Sequence, residues 1–273
     1  MHLSGLFLYP VKSLRGFAVD SAAVDALGFV GDRRFLVVDE SGKFLTQRTH
    51  PRMALVATAL DSTHLTLSTP EKNTLRVPLA TDPAAPLRTV SVWKSEALLA
   101  EDCGAPAAEF LSAFLGARVR LVRAGERFSR PILKHAAQPA DRVTFADAVP
   151  FLVVSEASLA DLNDRLVARG EDALPMDRFR PNLVVTGCTA FAEDAWPRFR
   201  IGSVTFRAAG PCSRCIMTTT DQFTGARTGP EPLRTLATYR RDPADSTDVN
   251  FGQNLINETK SGTVRVGDSI EFP

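Results

Sequence analysis

The feature that most constrains the fold is a succession of short apolar segments in the first 120 residues, each separated from the next by turn residues. Residues 65–68 and 88–92 alternate apolar and polar side chains, as half-buried antiparallel strands do. The candidate strands of this half span residues 3–11, 34–39, 55–60, 64–68, 74–79 and 88–93. The pattern predicts that the first half of the chain is built mainly from β-strands.

The second half continues with strands and adds helices. Apolar residues at helical spacing predict helices over residues 105–115 and 156–169. Ser155 is the candidate N-cap of the second helix, and Gly170 follows its last turn. The remaining candidates are strands at 182–186, 198–201 and 204–208, a short helix at 232–240, and a terminal hairpin over 264–272 that turns at Gly267 and Asp268.

The order of these elements shows no regular alternation of strand and helix of the kind that builds βαβ units. The sequence therefore predicts a mixed α+β, strand-dominated fold with two β-barrel-like domains and helical decoration. The predicted domains are 1–120 and 121–273. Residues 124–142 are rich in basic and polar side chains, including Arg127, Arg130 and Lys134, and are expected to form an exposed connection.

Composition excludes several classes of protein. With 44% apolar and 23% charged residues the chain has the composition of a soluble globular protein. The formal charge is +1, so no overall field attracts nucleic acid or an anionic membrane, and any anion must be bound by a few placed Lys and Arg side chains. Four cysteines in 273 residues do not form a disulfide scaffold, and the N-terminus lacks the pattern of a secretion signal. We therefore expect a reducing, cytoplasmic location.

Common catalytic motifs are absent from the sequence. It contains neither a G-x-G-x-x-G nor a G-x-x-x-x-G-K-[ST] segment, which argues against a dinucleotide fold and a phosphate loop. It also lacks H-E-x-x-H, and its four histidines are scattered at positions 2, 50, 64 and 135. A histidine-based zinc site or a Ser-His-Asp hydrolase therefore has no support in the sequence.

The segment Cys212-Ser-Arg-Cys215 is the one place where unusual chemistry is indicated locally. A C-x-x-C pair is ambiguous, because it also occurs as a redox dithiol, as half of a zinc site that Cys103 and Cys188 would have to complete, or as inert buried thiols. Arg214 lies between the two thiols, and hydroxyl side chains follow at 218–220. A thiolate among guanidinium and hydroxyl groups suits a soft, oxidisable metal that carries an anionic ligand.

The segment 213–219, followed by Asp221-x-x-Thr-Gly225, resembles the signature of MOSC (molybdenum cofactor sulfurase C-terminal) domain proteins. More narrowly, it resembles that of the mitochondrial amidoxime-reducing component and its bacterial relatives. Further stretches agree in the expected order over almost the whole chain. They are Tyr9-Pro-Val-Lys-Ser13, Gly31-Asp-Arg-Arg-Phe-Leu-Val37, residues 151–163, Phe179-Arg-Pro-Asn-Leu183, Ala192-Glu-Asp-Ala-Trp196, Glu231-Pro-Leu-Arg-Thr-Leu236 and Phe251-Gly-Gln253.

The resemblance implies an N-terminal β-barrel domain, a MOSC domain and a molybdenum cofactor (Mo-molybdopterin) bound between them. It implies Cys215 as the catalytic residue and metal ligand. The residues implied in cofactor binding are Lys12, Ser13, Arg33, Asp147, Arg180, Asn182, Ser213, Arg214, Cys215 and Asn254. Lys, Arg, hydroxyl and amide donors are the groups that a phosphate and a pterin edge require.

Several of these residues have a simpler interpretation. Lys12 could be a solvated charge at a strand end, and Asn182 could serve the backbone at a strand start. Arg33 or Arg34 could pair with Asp32 or Asp39, so that only one of the two arginines faces the cofactor. Ser155 is interpreted as a helix cap, and Cys212 and Cys188 as structural.

The function implied is a reductase of N-oxygenated (N-hydroxylated) compounds. Some bacterial relatives carry a ferredoxin domain with C-x₄-C-x₂-C spacing. Because this chain has no such cysteines, we expect electrons from a separate protein of the ferredoxin, cytochrome or flavin reductase type. Two alternatives stay open: a cofactor carrier or sulfur-transfer module without turnover, and a metal-free binding protein with a structural Cys215. The implied partners are thus a small-molecule substrate and a donor protein, with neither nucleic acid nor a membrane.

Overall fold

The computed structural model of the chain describes residues 1–272. The strands are β1 (His2–Leu8), β2 (Phe17–Val19), β3 (Ser21–Asp25), β4 (Gly28–Phe29), β5 (Phe35–Asp39), β6 (Ala57–Leu60), β7 (His64–Ser68), β8 (Thr74–Pro78), β9 (Leu87–Val92), β10 (Ser95–Asp102), β11 (Val119–Arg123), β12 (Phe151–Ser155), β13 (Leu183–Thr186), β14 (Arg198–Ile201), β15 (Val204–Ser213), β16 (Asn250–Asn257), β17 (Gly262–Arg265) and β18 (Ile270–Glu271). The α-helices are α1 (Ala105–Leu115), α2 (Glu156–Val167) and α3 (Leu233–Leu236), and short 3₁₀ helices cover Pro51–Leu55, Met176–Arg178, Ala192–Ala195 and Ile216–Thr219.

The largest sheet has eight strands in the order β18-β14-β15-β16-β12-β13-β1-β2. Its central strand β12 has the sequence Phe-Leu-Val-Val-Ser and is buried throughout, which is the pattern of a strand covered on both faces. The N-terminal strand β1 pairs antiparallel with β13, and β3 pairs antiparallel with β17. The start of the chain therefore folds together with its second half, where Leu3, Leu6 and Phe29 share a core with Phe199 and Phe206.

The middle of the first half forms two smaller antiparallel sheets, β5-β11-β10-β9 and β6-β7-β8. Helix α1 buries Ala107, Leu111 and Phe114. Leu111 and Phe114 pack in one core with Leu65 and Leu121, which belong to the two different sheets. The predicted strand-dominated α+β fold is confirmed.

The structure confirms several local predictions. Strand β7 and helix α1 have the predicted bounds. Ser155 caps α2, because its Oγ accepts a hydrogen bond from the backbone N–H of Ser158 at 3.0 Å. In the described chain, no helix has both the length and the apolar character needed to cross a bilayer.

The predicted terminal hairpin is wrong. Strands β17 and β18 do not pair with each other: β17 joins β3, and β18 joins β14. Both short strands bury an apolar side chain, Val264 and Ile270, in the core of the second half. Burial against distant strands therefore outweighed the local pairing that the turn at Gly267 suggested.

Two further expectations need correction. Strands β12 and β13 are parallel and are connected through α2, so the fold contains a βαβ unit that the sequence pattern did not indicate. Arg130 was expected to be exposed, but it is buried. Its guanidinium donates to the carbonyl oxygens of Thr144 (2.9 Å), Ala146 (2.6 Å) and Asp147 (2.9 Å), and so holds the segment that precedes β12 in place.

Candidate functional site

A cavity that encloses about 800 Å³, counting the solvent at its mouth, lies where the two halves of the chain meet. Its wall includes the β1–β2 connection and Arg48 from the first half, and residues 146–152, 178–180 and 212–215 from the second. Every residue that the sequence analysis assigned to the cofactor site lines this cavity: Lys12, Ser13, Arg33, Asp147, Arg180, Asn182, Ser213, Arg214, Cys215 and Asn254. Their roles toward a cofactor stay predictions.

Cys215 follows the end of β15 and precedes the 3₁₀ helix Ile216–Thr219. The backbone N–H and the hydroxyl of Thr218 both donate to the Cys215 carbonyl oxygen at 3.0 Å, which fixes the turn. Arg48 donates two hydrogen bonds to Cys215 Sγ, from Nε at 3.3 Å and from Nη2 at 3.2 Å. The sulfur is therefore exposed to the cavity beside a fixed positive charge.

No motif in the sequence singles out Arg48 as a site residue. Its guanidinium carbon lies 4.2 Å from the centre of the Trp93 ring, which orients the side chain toward Cys215. Arg48, Trp93 and Cys215 come from three distant parts of the chain, and no local pattern connects them. The contact of Arg48 with Trp93 and Cys215 is therefore seen only in the tertiary structure.

Lys12 is buried, with 5% of its surface exposed, and forms an ion pair with Asp147. Burial lowers the pKa of Lys12 below its usual range, and the Asp147 carboxylate opposes that shift. Desolvation by the surrounding protein raises the pKa of Asp147, but the charge and hydrogen bond of Lys12 outweigh it, and the net pKa lies below its usual range. The Trp93 indole N–H also donates to this carboxylate, at 2.9 Å. Lys12 is thus not a solvated charge at a strand end.

Ser13 has a positive φ of 67° and lies beside Lys12 in the same connection. The backbone carbonyl of Ser13 accepts a hydrogen bond from the buried Gln47 side chain at 2.9 Å. Gln47 is in turn paired with the Gln222 side chain, through two amide hydrogen bonds of 3.0 Å. These amides hold the connection in a left-handed turn that non-glycine residues rarely adopt.

Arg33, and not Arg34, lines the cavity. Arg33 Nη1 donates to Asp32 at 2.7 Å and to the Asn182 side-chain oxygen at 2.9 Å. Arg34 instead pairs with Asp25, at 2.7 Å and 2.8 Å, outside the cavity. The Asn182 amide also donates to the carbonyl of Phe7 at 3.2 Å, so this buried side chain connects the cavity wall to β1.

Arg180 has no side-chain hydrogen bond or ion pair to any of residues 1–272. Burial lowers the pKa of Arg180 to about 10 and the charge of Arg33 acts in the same direction, whereas Tyr9, Asp32 and Asp147 oppose the shift. Its guanidinium carbon lies 4.3 Å from the centre of the Tyr9 ring, as does that of Arg33. A largely desolvated cation that forms no ion pair is costly, unless a bound anion provides the missing contacts.

Two more guanidinium groups present an unsatisfied donor. Arg178 pairs with Asp221 at 2.9 Å, and Arg214 donates to the carbonyl of Phe179 at 2.7 Å. In each of these arginines, the buried Nε has no hydrogen-bond partner within residues 1–272. Near the mouth, Ser213 donates to Asp248 at 2.7 Å. The Asn254 amide donates to the carbonyl of Pro211 at 2.9 Å.

Cys212 lies in the wall of the same cavity as Cys215, and it also packs against the core that contains Leu162 and Phe251, so its structural role stays a prediction. Arg214 Nη1 donates to its sulfur at 2.9 Å. Cys188 packs against the core of the second half, and Cys103 packs against that of the first. In the described part of the chain, no three His, Cys, Asp or Glu side chains converge in a way that could hold a metal ion. The four cysteines therefore do not assemble into a zinc site.

The charges of the wall are strongly unbalanced, although the whole chain is nearly neutral. Its cations are Lys12, Arg33, Arg48, Arg178, Arg180 and Arg214, and Asp147 is the single carboxylate among the lining residues. Such a wall attracts a multiply charged anion with several acceptor oxygens. The thiol of Cys215 provides one soft ligand in the same space. The donor set thus fits a phosphate-bearing cofactor that carries a soft metal.

Comparison with known proteins assigns both halves. Residues 1–118 match the MOSC N-terminal beta barrel domain, and residues 140–271 match the MOSC domain. The domain boundary expected near residue 120 stays a prediction, because the matches leave the segment 119–139 between them.

Similar proteins cover almost the whole chain. The mitochondrial amidoxime-reducing component 1 of Mus musculus is 38% identical, over 97% of this chain and 80% of its own length. The component 1 of Homo sapiens is 36% identical, over 97% and 81%. The mitochondrial amidoxime reducing component 2 of Bos taurus is 36% identical, over 98% and 82%.

Proposed function

Because the chain belongs to the family that joins a MOSC N-terminal beta barrel domain to a MOSC domain, the family of the mitochondrial amidoxime-reducing components, we propose that it reduces N-hydroxylated compounds at a molybdenum cofactor. The proposed substrates are hydroxylamines, amidoximes and N-hydroxylated bases. In the reaction the N–O bond breaks, two electrons and two protons are consumed, and the oxygen leaves as water. When bound, the cofactor supplies the two-electron chemistry.

The unbalanced charge of the cavity wall carries this proposal. Within residues 1–272 the Arg180 side chain forms no hydrogen bond or ion pair, and Arg178 and Arg214 each bury an unsatisfied Nε. A phosphate offers acceptor oxygens to several guanidinium groups at once, and it compensates charges that are costly to bury alone. The protein therefore has the donors that the phosphate of molybdopterin requires.

We assign the roles as follows. Cys215 ligates the metal, and Arg48 orients its sulfur through two hydrogen bonds. Lys12, Arg33 and Arg180 bind the anionic part of the cofactor. The other residues assigned to cofactor binding are Ser13, Asp147, Asn182, Ser213, Arg214 and Asn254, which offer hydroxyl, carboxylate, amide and guanidinium groups.

Among the lining side chains, the carboxylate of Asp147 is not suited to deliver a proton. Its pKa lies below the usual range of an aspartate, so it is ionised at neutral pH. It accepts hydrogen bonds from Lys12 and Trp93 instead, and these contacts fix its position. Asp147 therefore acts as an acceptor that orients neighbouring groups.

We further propose that a separate ferredoxin, cytochrome or flavin reductase supplies the electrons. The cytoplasm, or another reducing compartment, is the proposed location. All four cysteines are free thiols in the structure, which is compatible with such a compartment.

Chemical analysis combined with turnover tests the proposal. The protein is produced in a host that makes the molybdenum cofactor, and its molybdenum and pterin contents are measured. We expect about one of each per chain, and steady reduction of benzamidoxime with a reduced viologen dye as electron donor. A full cofactor load without turnover would instead indicate a carrier, and zinc or no metal would indicate a structural or metal-free site.

A further inference from the structure

A second cavity, which encloses about 850 Å³ including the solvent at its mouth, adjoins the cofactor cavity. The two cavities share one lining residue, Arg48. Phe44, Leu45, Trp93 and Val119 form much of its apolar wall. An open, largely apolar space that leads to the residue beside Cys215 has the character of a small-molecule subsite.

Trp93 is the most unusual residue of this second cavity. It begins the two-residue turn between β9 and β10, in which Val92 pairs with Ser95. Its φ is +54°, at a turn position that Asn, Asp or Gly usually occupies. Bulky residues in this region carry strain, and such strain concentrates at functional sites.

The strained turn places Trp93 in contact with three residues that line the two cavities. The indole N–H donates to Asp147 at 2.9 Å, and the ring lies 4.2 Å from the Arg48 guanidinium carbon. The Phe44 and Trp93 rings pack in an edge-to-face arrangement, with their centres 4.9 Å apart. Even so, 41% of the tryptophan surface is exposed. A large aromatic ring is thus fixed at the junction of the two cavities while part of it stays open to solvent.

We propose that Trp93 and Phe44 form an aromatic subsite that binds the planar group of the substrate and directs its N–O group past Arg48 toward Cys215. The inference rests on the proposed function and narrows its substrates to those in which a planar, uncharged group carries the N–O group. Lys43, Arg48 and Arg118 line the cavity together with one carboxylate, Asp39, so cationic compounds are disfavoured. Stacking on an open aromatic ring selects planar groups over aliphatic ones.

Steady-state kinetics with two amidoximes test the subsite. Benzamidoxime and acetamidoxime carry the same reacting group, and only the first has a ring. In Trp93→Ala, the KM for benzamidoxime should rise about tenfold more than the KM for acetamidoxime, which corresponds to about 1.4 kcal/mol of stacking. Trp93→Phe keeps a ring without the N–H donor. Its ratio of the two KM values should return to within about threefold of the wild-type ratio.

The same substitutions distinguish stacking from mere positioning of Asp147. If Trp93 served only to hold Asp147 through its N–H, the KM values for both substrates would rise by the same factor in Trp93→Ala. Trp93→Phe would then show the same rise, because it also lacks the N–H donor. That result would overturn the proposal. Phe223→Ala is the matched control, because Phe223 is 69% exposed and lines neither cavity. It should leave the KM ratio unchanged.

Direct binding provides a readout that does not need turnover. The chain has two tryptophans, and the other one, Trp196, is buried. Benzamidoxime added to the oxidised, cofactor-loaded protein should quench tryptophan fluorescence, and Trp93→Phe should abolish the quenching. Quenching without turnover would contradict the proposed reductase but support the subsite. Turnover of benzamidoxime with no quenching, and with an unchanged KM ratio in Trp93→Ala, would contradict the subsite alone.

Discussion

At the scale of single residues, the cations of the cavity wall differ in whether another side chain of the protein neutralises them. Arg33 and Lys12 each have a carboxylate partner, whereas Arg180 has none. Arg180 is therefore the clearest probe of an anionic ligand, because its replacement removes no hydrogen bond or ion pair of the described chain, although it does remove the packing on Tyr9.

We predict that Arg180→Ala lowers the affinity for the cofactor by one to two decades, since a charge-assisted contact is worth roughly 1.5–3 kcal/mol. Without cofactor, the variant should melt at the same temperature as the wild type or higher, because a desolvated cation has been removed. Pterin content and melting curves measure the two effects. Arg127→Ala, at an exposed arginine outside the cavity, is the control. Unchanged pterin content in Arg180→Ala would show that no anion binds there.

The sequence predicted ten residues that line the cavity, but it did not predict Arg48 or Trp93. All ten assigned residues line one cavity. Eight of them lie within the contiguous motifs of the resemblance, and only Asp147 and Asn254 lie outside those motifs. Arg48 and Trp93 escaped prediction for a physical reason. Their importance comes from a cation–π contact and two hydrogen bonds that join segments distant in sequence. Neither contact leaves a periodic or compositional trace.

At the scale of elements, α2 shows the opposite case. Its N-cap, its apolar stripe and its start were all predictable, because each depends on residues within a few positions of one another. The hairpin expected at the C-terminus failed, because the pairing of β17 and β18 is decided by strands more than 60 residues away. Local signals specify turns and caps, and strand partners depend on the whole core.

The capping role of Ser155 leads to a second prediction. Ser155→Ala should lower the free energy of unfolding by about 1 kcal/mol, or up to about 2, because the backbone N–H of Ser158 loses its acceptor. Cofactor content should stay at the wild-type level, since Ser155 does not line the cavity. Urea denaturation and pterin analysis provide the measurements. Ser62→Ala, at an exposed serine, should change neither quantity. A loss of pterin in folded Ser155→Ala would make this residue a ligand rather than a cap.

At the scale of the whole molecule, β1 and β3 pair with strands of the second half, and the cavity forms between the halves. The connection between them is anchored by Asp141, which is buried and pairs with Arg207 and Lys260. Desolvation raises the pKa of Asp141. The backbone hydrogen bond from Gln138 and the two cations lower this pKa by more, so the net pKa is below the usual range.

A carboxylate whose folded-state pKa is lowered contributes stability above its unfolded pKa of about 4, and that contribution is lost as the pH falls through the folded value. We predict that the wild type loses unfolding free energy steadily below about pH 4. Asp141→Asn should be less stable at pH 7 and lose less on acidification, because it has no such proton to bind. Urea denaturation at pH 7 and pH 3.5 measures the difference. Parallel losses in both proteins would show that Asp141 does not contribute to the acid sensitivity.

The central claim is that Cys215 ligates a molybdenum used for turnover, and comparison of two serine variants tests it most directly. Both cysteines line the cavity, but only the sulfur of Cys215 is held by Arg48, whereas that of Cys212 is bound by Arg214. A hydroxyl cannot replace a soft thiolate on molybdenum. Cys215→Ser should therefore abolish benzamidoxime reduction by a reduced viologen dye, and Cys212→Ser should retain most of it, with melting curves confirming that both variants are folded. Equal loss of activity in both variants, with the cofactor still bound, would contradict this account.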